Sequence, residues 1–148
     1  RKAMGLPKAI AWQAPLYLPF SAGPNAALLT LPDTTLWCAD ADAEIVAAYE
    51  QHQVLGTDGS AVTADVMKVD DGTIIASGTS VLVTTFDLKA TIATWQKRTV
   101  ANGGISPTVS TRTILAGQTL GINFGGTMTA VAGVNIIVVV KRLRRPSW

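Results

Sequence analysis

The sequence contains one cysteine and one histidine, and both scarcities restrict its chemistry. Cys38 cannot form an internal disulfide, and one Cys with one His cannot supply the ligands of a zinc site. Ser-His-Asp and Cys-His catalysis would both depend on His52, which lies in an apolar, alternating stretch without a nucleophile motif. We therefore predict no catalytic residues, no metal and no cofactor. We also predict a buried Cys38 and a structural or solvent-facing His52.

Long apolar runs are missing as well. The longest, residues 130–140, is about half of the roughly 20 residues that a membrane-spanning helix needs, and Asn135 interrupts it. The first residues are basic, as in a signal peptide, but Pro7, Lys8 and Pro15 break the apolar stretch that follows. The sequence therefore predicts neither a membrane span nor a signal peptide.

Residues suited to β-structure are abundant. The chain has 148 residues, of which 48% are hydrophobic and only 15% charged, and it includes 18 Thr, 14 Val and 10 Ile. β-Branched side chains have restricted χ1 rotamers and pack well on a pleated, half-buried surface. Glycine and proline interrupt the pattern at short intervals. This composition predicts one mainly β domain with a substantial core.

Turn residues divide the chain into seven or eight short segments, and this spacing is typical of a sandwich or a barrel. Apolar residues fill both faces of the last segment, which predicts a central strand. The expected strands are 28–31, 35–38, 61–69, 80–88, 91–100, 108–115, 119–124 and 133–140, and the pattern at 80–88 is also compatible with a single helical turn.

Residues 40–54 fit two structures. Alanine and glutamate favour a helix, whereas the alternation around Ile45 and Tyr49 favours a strand. The segment runs into Asp58-Gly59, a pair typical of tight hairpins. We therefore predict a strand, followed by a hairpin to residues 61–69.

The two ends of the chain differ from the middle. Prolines at 7, 15, 19 and 24 predict an extended N-terminal arm over residues 1–25, and its large apolar side chains need a cover. Seven of the 12 basic residues lie in 1–8 and 141–148, whereas all 10 acidic residues lie between Asp33 and Asp87. The ends are either solvated tails or docking segments for an acidic surface. We predict the division 1–25 (arm), 26–143 (β domain) and 144–148 (basic tail).

We expect the two ends to contact a partner through apolar anchors and basic side chains. The acidic middle disfavours specific binding of nucleic acid, although four clustered charges would attract it non-specifically. The candidate partner-binding residues are Leu6, Lys8, Ile10, Trp12, Leu16, Tyr17, Phe20, Arg142, Arg144, Arg145 and Trp148.

Three stretches carry a family resemblance: VLGTDGSAVTADVMKV, SGTSVLVTTFDLKATIATWQ and RTILAGQTLGINFGGTMTAVAGVNIIVVVKR. Together they resemble the jelly-roll decoration (cement) and head-fibre proteins of tailed bacteriophages. The resemblance covers about two thirds of the chain and does not include the arm. It implies an antiparallel β-sandwich of jelly-roll type, a place on the capsid surface of a virion, a homotrimer, and contacts with the major capsid protein.

The leading hypothesis is therefore a non-enzymatic structural protein that binds the outside of a phage head and stabilises the shell. The alternative is a tail-fibre or spike head domain that binds a host glycan. That function requires exposed aromatic side chains along a groove, and the sequence offers Trp95, Tyr49 and Trp37 for it. An enzyme is the third possibility, and the single histidine disfavours it.

Overall fold

Two antiparallel β-sheets, packed face to face, make up the part of the chain that the computed structural model describes, residues 14–22 and 33–143. Sheet A contains β1 (Leu16–Ser21), β3 (Ala43–Gln51), β7 (Gln96–Thr99), β8 (Thr113–Ile114) and β10 (Asn135–Arg142). Sheet B contains β2 (Thr34–Cys38), β4 (Thr63–Val69), β5 (Thr79–Ser80), β6 (Phe86–Asp87) and β9 (Thr119–Gly125). A 3₁₀ turn (Ile75–Ser77) and one helical turn, α1 (Val109–Arg112), complete the described elements. The predicted β-sandwich is confirmed.

The strand order places the closing strand in the middle of its sheet. Sheet A has the order β1-β10-β3-β7, with β8 also pairing with β3. Sheet B has the order β2-β9-β4-β5, with β6 also pairing with β4. β10 therefore has a neighbour on each side, as its apolar sequence predicted.

The core lies between the sheets because alternate residues of each strand face inward. Apolar side chains from both sheets are fully buried there. Phe86 in β6 and Leu88 just after it are also fully buried in this core. The buried strand residues include Ile45, Ala48, Ala64, Val66, Leu120, Ile122, Ile136, Val138 and Val140. No helix within the described ranges is long and apolar enough to cross a membrane.

The ambiguous segment at 40–54 is a strand, β3, and not a helix. The predicted hairpin after it is wrong, because β3 pairs with β10, β7 and β8, whereas β4 pairs with β9, β5 and β6. The connection between β3 and β4 instead crosses from sheet A to sheet B. Asp58 makes a local turn there, since its Oδ1 accepts a hydrogen bond of 2.7 Å from the Ser60 amide.

Six residues of the segment expected to be an arm, Leu16–Ser21, form the edge strand β1 of sheet A and pair with β10. Proline lacks the amide hydrogen of a ladder bond, so it is tolerated on edge strands, and Pro19 occupies such a position. Leu18 is buried in the shared core, and Leu16 and Phe20 pack against it. The expected boundary at residue 25 therefore does not separate β1 from the domain.

Four local predictions differ from the structure. The strand expected at 80–88 is divided, because bends at Val83 and Thr84 separate β5 from β6. Residues 91–95 form a turn and irregular chain before the short β7, and α1 replaces the first part of the strand expected at 108–115. Cys38 is exposed, not buried, because it ends the edge strand β2. The strand expected at 28–31 lies outside the described residues.

Two glycines with positive φ provide a matched test of the packing. Gly126 (φ 82°) faces the Ala61 carbonyl oxygen so closely that an added Cβ would overlap it, whereas Gly117 (φ 88°) has open space. We expect Gly126→Ala to lower the free energy of unfolding by about 2–4 kcal/mol, since left-handed strain and displacement of backbone add together. Gly117→Ala should lower the free energy of unfolding by only about 1–2 kcal/mol, because left-handed strain is the single cost there. Urea unfolding measures both, and equal losses would contradict the close contact at Gly126.

Candidate functional site

The outer face of sheet A is apolar where its central strands meet. β10 directs Ile136 and Val138 into the core, so Ile137 and Val139 face the other way. The neighbouring Tyr17 also faces outward and is 61% exposed. A sheet face of this kind is normally covered by polar side chains when it meets only water.

Five side chains on this face line an open hollow of about 490 Å³, which we call the aromatic hollow: Tyr17, Tyr49, Trp95, Lys97 and Ile137. The sheet register explains why they meet. Tyr49 lies directly opposite Ile137 on one side and opposite Lys97 on the other, so these three form a row across β10, β3 and β7. Residues distant in sequence thus share one surface.

Ring contacts hold the walls of the aromatic hollow in place. The Tyr49 and Trp95 rings meet edge to face, with centroids 6.5 Å apart and an interplanar angle of 88°. Lys97 Nζ lies 5.7 Å from the centroid of the Tyr49 ring. Contacts of these two kinds each contribute about 0.5–1.5 kcal/mol, so the walls are ordered before any partner arrives.

A buried polar network lies beside the aromatic hollow. Glu50 follows Tyr49 in β3 and faces inward, and neither its side chain nor that of His52 is exposed. Glu50 Oε1 lies 3.0 Å from His52 Nδ1, and Glu50 Oε2 accepts a 2.7 Å bond from Gln96 Nε2. Because Gln96 lies between Trp95 and Lys97 in the chain, the network fixes the segment that carries two walls of the hollow.

The partners of His52 indicate its protonation. Its Nε2 lies 3.1 Å from the Ala90 carbonyl oxygen, which can only accept a hydrogen bond. A ring that carries a hydrogen on each nitrogen donates to the Ala90 carbonyl oxygen and to Glu50 Oε1, so the protonated form of His52 satisfies both contacts. The hydrogen bond to Glu50 raises the pKa of His52 above its ordinary 6.5, against the opposing effect of burial. His52 therefore has the structural role that was one of the two roles predicted for it.

The loop before β7 is also tied to β3 through its backbone. The Ala93 amide donates a 2.8 Å hydrogen bond to the His52 carbonyl oxygen. Ala93 has a φ of 54°, which is uncommon for a residue with a Cβ. This hydrogen bond helps to hold the strained turn that immediately precedes Trp95.

The structure separates the candidate partner-binding residues into four groups, of which Arg142 alone forms the last. Tyr17 points outward and lines the aromatic hollow. Leu16 and Phe20 instead pack against the protein's own core, and the Phe20 and Phe124 ring centroids are 5.5 Å apart. Outside the described residues lie Leu6, Lys8, Ile10, Trp12, Arg144, Arg145 and Trp148.

Arg142 is engaged within the chain. Its Nη2 donates a 2.7 Å hydrogen bond to Asp40 Oδ2, forming an ion pair that links β10 to the chain before β3. A structural contact therefore occupies part of the side chain that the sequence assigned to a partner.

Sequence reasoning missed Lys97 and Ile137 as site residues, and it named Tyr49 and Trp95 only for the glycan-binding alternative. The sequence shows apolar residues on both faces of the strand that contains Ile137. That pattern is explained equally well by a strand buried on both faces, so it does not reveal that Ile137 faces outward. Trp37, the third aromatic named, is partly buried against the core. Within the described part of the chain, no three His, Cys, Asp or Glu side chains are grouped as a metal site requires.

No protein-family model matches the chain, and no curated protein matches it. Among solved structures, the cyanophage Pam1 capsid asymmetric unit has a TM-score of 0.45 and 15% identity, over 88% of this chain and 84% of that one. The disulfide-linked pili of Bacillus endospore appendages give a TM-score of 0.36 and 13% identity, over 88% and 87%. The structure of infectious bursal disease virus, Gx strain, has a TM-score of 0.35 and 18% identity, over 89% of this chain and 33% of that one. All three TM-scores are below 0.5 and do not establish a common fold.

Proposed function

We propose that this chain is a structural protein of a bacteriophage particle, which binds the outer surface of the head and stabilises the shell. The observation that carries the proposal is the aromatic hollow on an ordered sheet face. Exposed aromatic and apolar side chains gathered in one place mark a surface that a partner covers. The major capsid protein is the proposed partner, and the resemblance of residues 45–143 to phage decoration proteins supports this choice.

We further propose that the sandwich is of the jelly-roll type. Two strand orders support this: β1-β10-β3-β7 in one sheet and β2-β9-β4-β5 in the other. Strands that follow one another in the chain alternate between the two sheets at the start of the domain, as repeated Greek-key connections require.

Stabilisation would be interfacial. Burying the aromatic hollow against the shell adds a binding free energy that must be lost before the subunits beneath can separate. A trimer, as the resemblance implies, would bind through three such surfaces at once, and this raises the effective affinity without new kinds of contact. The trimer stays a prediction. The use of the basic, apolar ends of the chain as additional anchors also stays a prediction.

The second candidate function is binding of a host glycan by a tail-fibre or spike head domain. The favouring observation is that two of the aromatics named for it, the half-buried Tyr49 and the exposed Trp95, lie together beside Tyr17. Immunogold labelling of intact particles with an antibody against the chain separates the two functions. Regular labelling of the head supports the proposed function, and labelling confined to the tail would overturn it.

The aromatic hollow gives the proposal a mutational test. We expect Tyr17→Ala to weaken attachment to isolated heads that lack the chain by at least about tenfold, because truncating a central aromatic contact costs 2 kcal/mol or more at typical hot spots. The matched control is Ile74→Ala, since Ile74 is 71% exposed but does not line the hollow. Co-sedimentation with heads gives both affinities. Equal binding by Tyr17→Ala and the unmodified protein would show that this surface is not the contact.

Deletion tests of the N-terminal segment should stop at residue 13. Removing residues 1–25 would also remove β1, and with it Tyr17 and the cover over one side of β10. We expect the chain that begins at residue 14 to keep the sandwich, because every described strand is retained.

A further inference from the structure

The chemistry of the aromatic hollow restricts what can occupy it. Four of its five lining side chains present rings or aliphatic carbon, and Lys97 is its only charged group. Its volume of about 490 Å³ lies within the range of roughly 300–1,000 Å³ that is typical of ligand pockets. A large apolar side chain fits these walls, because burying it there removes apolar surface on both sides from water.

The charge at the rim points to the second element of the ligand. Lys97 Nζ is held above the Tyr49 ring, and within residues 14–22 and 33–143 no carboxylate forms an ion pair with it. A carboxylate on the partner, placed beside the apolar side chain, would meet this ammonium group directly. The contact would select acidic over neutral segments.

The edge of the sheet disfavours a different mode of docking. A peptide that added a strand to sheet A next to β1 would need the main-chain donors of that edge, and Pro19 supplies none. Proline on an edge strand opposes such additions. Extension of the sheet at β1 is therefore disfavoured, whereas the aromatic hollow on the face of the sheet is open to a partner segment.

We propose that the aromatic hollow binds a protein segment in which a large apolar side chain is next to an aspartate or glutamate. Only the identification of that segment with a shell protein rests on the proposed function. The Phe-Asp or Leu-Glu type of sequence follows from the walls and from Lys97 alone.

The test uses the full chain, labelled with ¹⁵N, and two probes: acetyl-Gly-Phe-Asp-Gly-amide and its neutral counterpart acetyl-Gly-Phe-Asn-Gly-amide. We expect the acidic peptide to shift the signals of Tyr17, Tyr49 and Trp95 with a Kd on the order of 1 mM. The neutral peptide should bind about twofold to fivefold more weakly, the usual contribution of an exposed ion pair.

Two variants and one matched control assign the effect. Lys97→Met should abolish the preference for the acidic peptide and keep binding of both, because its aliphatic body stays in the wall. Trp95→Ala should abolish binding of both peptides in a protein whose other signals show an intact fold. The control is Lys141→Met, since Lys141 is exposed on β10 but does not line the hollow, and it should keep the preference.

Three outcomes would overturn the proposal. In the first, chitotriose shifts the signals of the hollow residues and neither peptide does. In the second, the two peptides bind equally well. In the third, the protein self-associates through the hollow as its concentration rises, and this self-association excludes both peptides. A failure here is distinguishable from a failure of the proposed function. Attachment to heads that still depends on Tyr17 would keep the function while rejecting the peptide chemistry, and peptide binding without attachment to heads would do the reverse.

Discussion

The Glu50→Ala variant is expected to lose about 3–5 kcal/mol of unfolding free energy, which is the usual effect of removing one partner from a buried ion pair. The substitution leaves His52 Nδ1 without its acceptor in a place where water has no access. It also removes one of the two acceptors of Gln96 Nε2, which keeps its 2.7 Å hydrogen bond to the Asp87 carbonyl oxygen. Urea unfolding measures the loss.

Glu44→Ala is the matched control for this prediction, because Glu44 lies in the same strand and also pairs with a cation. Its ion pair with Arg112, at 2.6 Å, is partly exposed, with 27% of the Glu44 side chain and 14% of the Arg112 side chain accessible. Solvent screens such pairs, so we expect a loss of only about 0–1 kcal/mol. Similar losses for the two variants would show that the Glu50 network does not stabilise the fold.

The same network predicts how stability depends on pH. The pKa of His52 is raised in the folded protein, so the protonated ring stabilises the fold fully below its ordinary pKa of 6.5. This contribution is lost as the pH rises through the folded pKa. Because the chain has one histidine, its ring signal in NMR reports the titration without overlap. We expect Glu50→Gln to lower the pKa of His52, and an unchanged pKa would contradict the assigned hydrogen bond.

The Phe86→Ala variant has the other large expected effect, also about 3–5 kcal/mol, since it empties a fully buried aromatic site in the core. The ring supports a second contact, because the Arg98 guanidinium lies 5.2 Å from its centroid. Arg98 also donates hydrogen bonds of 3.0 Å to the Thr84 and Thr85 carbonyl oxygens, so the loop before β6 loses part of its anchor.

Phe20→Ala is the control for core packing, since Phe20 is only partly buried on the edge strand β1. We expect Phe20→Ala to lower the free energy of unfolding by about 1–2 kcal/mol, because folding removes a smaller apolar area of this side chain from water. The midpoint of urea unfolding should therefore fall much further for Phe86→Ala. An equal fall in the midpoint would show that packing at the sheet edge stabilises the fold as much as packing around β6 does.

Local patterns predicted the elements better than their pairing. The strand predicted within residues 40–54 is confirmed, because burial of one face outweighs the helix propensity of alanine. The hairpin signal that decided this prediction is nevertheless wrong about the pairing. The Asp58-Gly59 turn was also real, but a turn does not reveal whether the next strand joins the same sheet. β3 and β4 form their pairs with strands that are distant in the chain.

The edge strands and the candidate site were beyond sequence reasoning for related reasons. Pro15 and Pro19 made β1 look like an arm, although an edge strand tolerates a proline. Cys38 was expected inside because cysteine is usually buried, and its place at the end of an edge strand reverses that expectation. The aromatic hollow depends on the register between β1, β10, β3 and β7, and this register is set by tertiary pairing alone.

The position of β10 between β1 and β3 has a consequence for biosynthesis. Leu16 pairs with Val140 and Ser21 with Asn135, so β1 leaves the ribosome before its partner β10 and cannot form this pairing until β10 has been made. Such long-range pairing is slow to form. A translation product interrupted before residue 135 also lacks Ile137, one wall of the aromatic hollow. Incomplete chains therefore lack part of the proposed docking surface, so attachment through the aromatic hollow would select chains whose synthesis has passed β10.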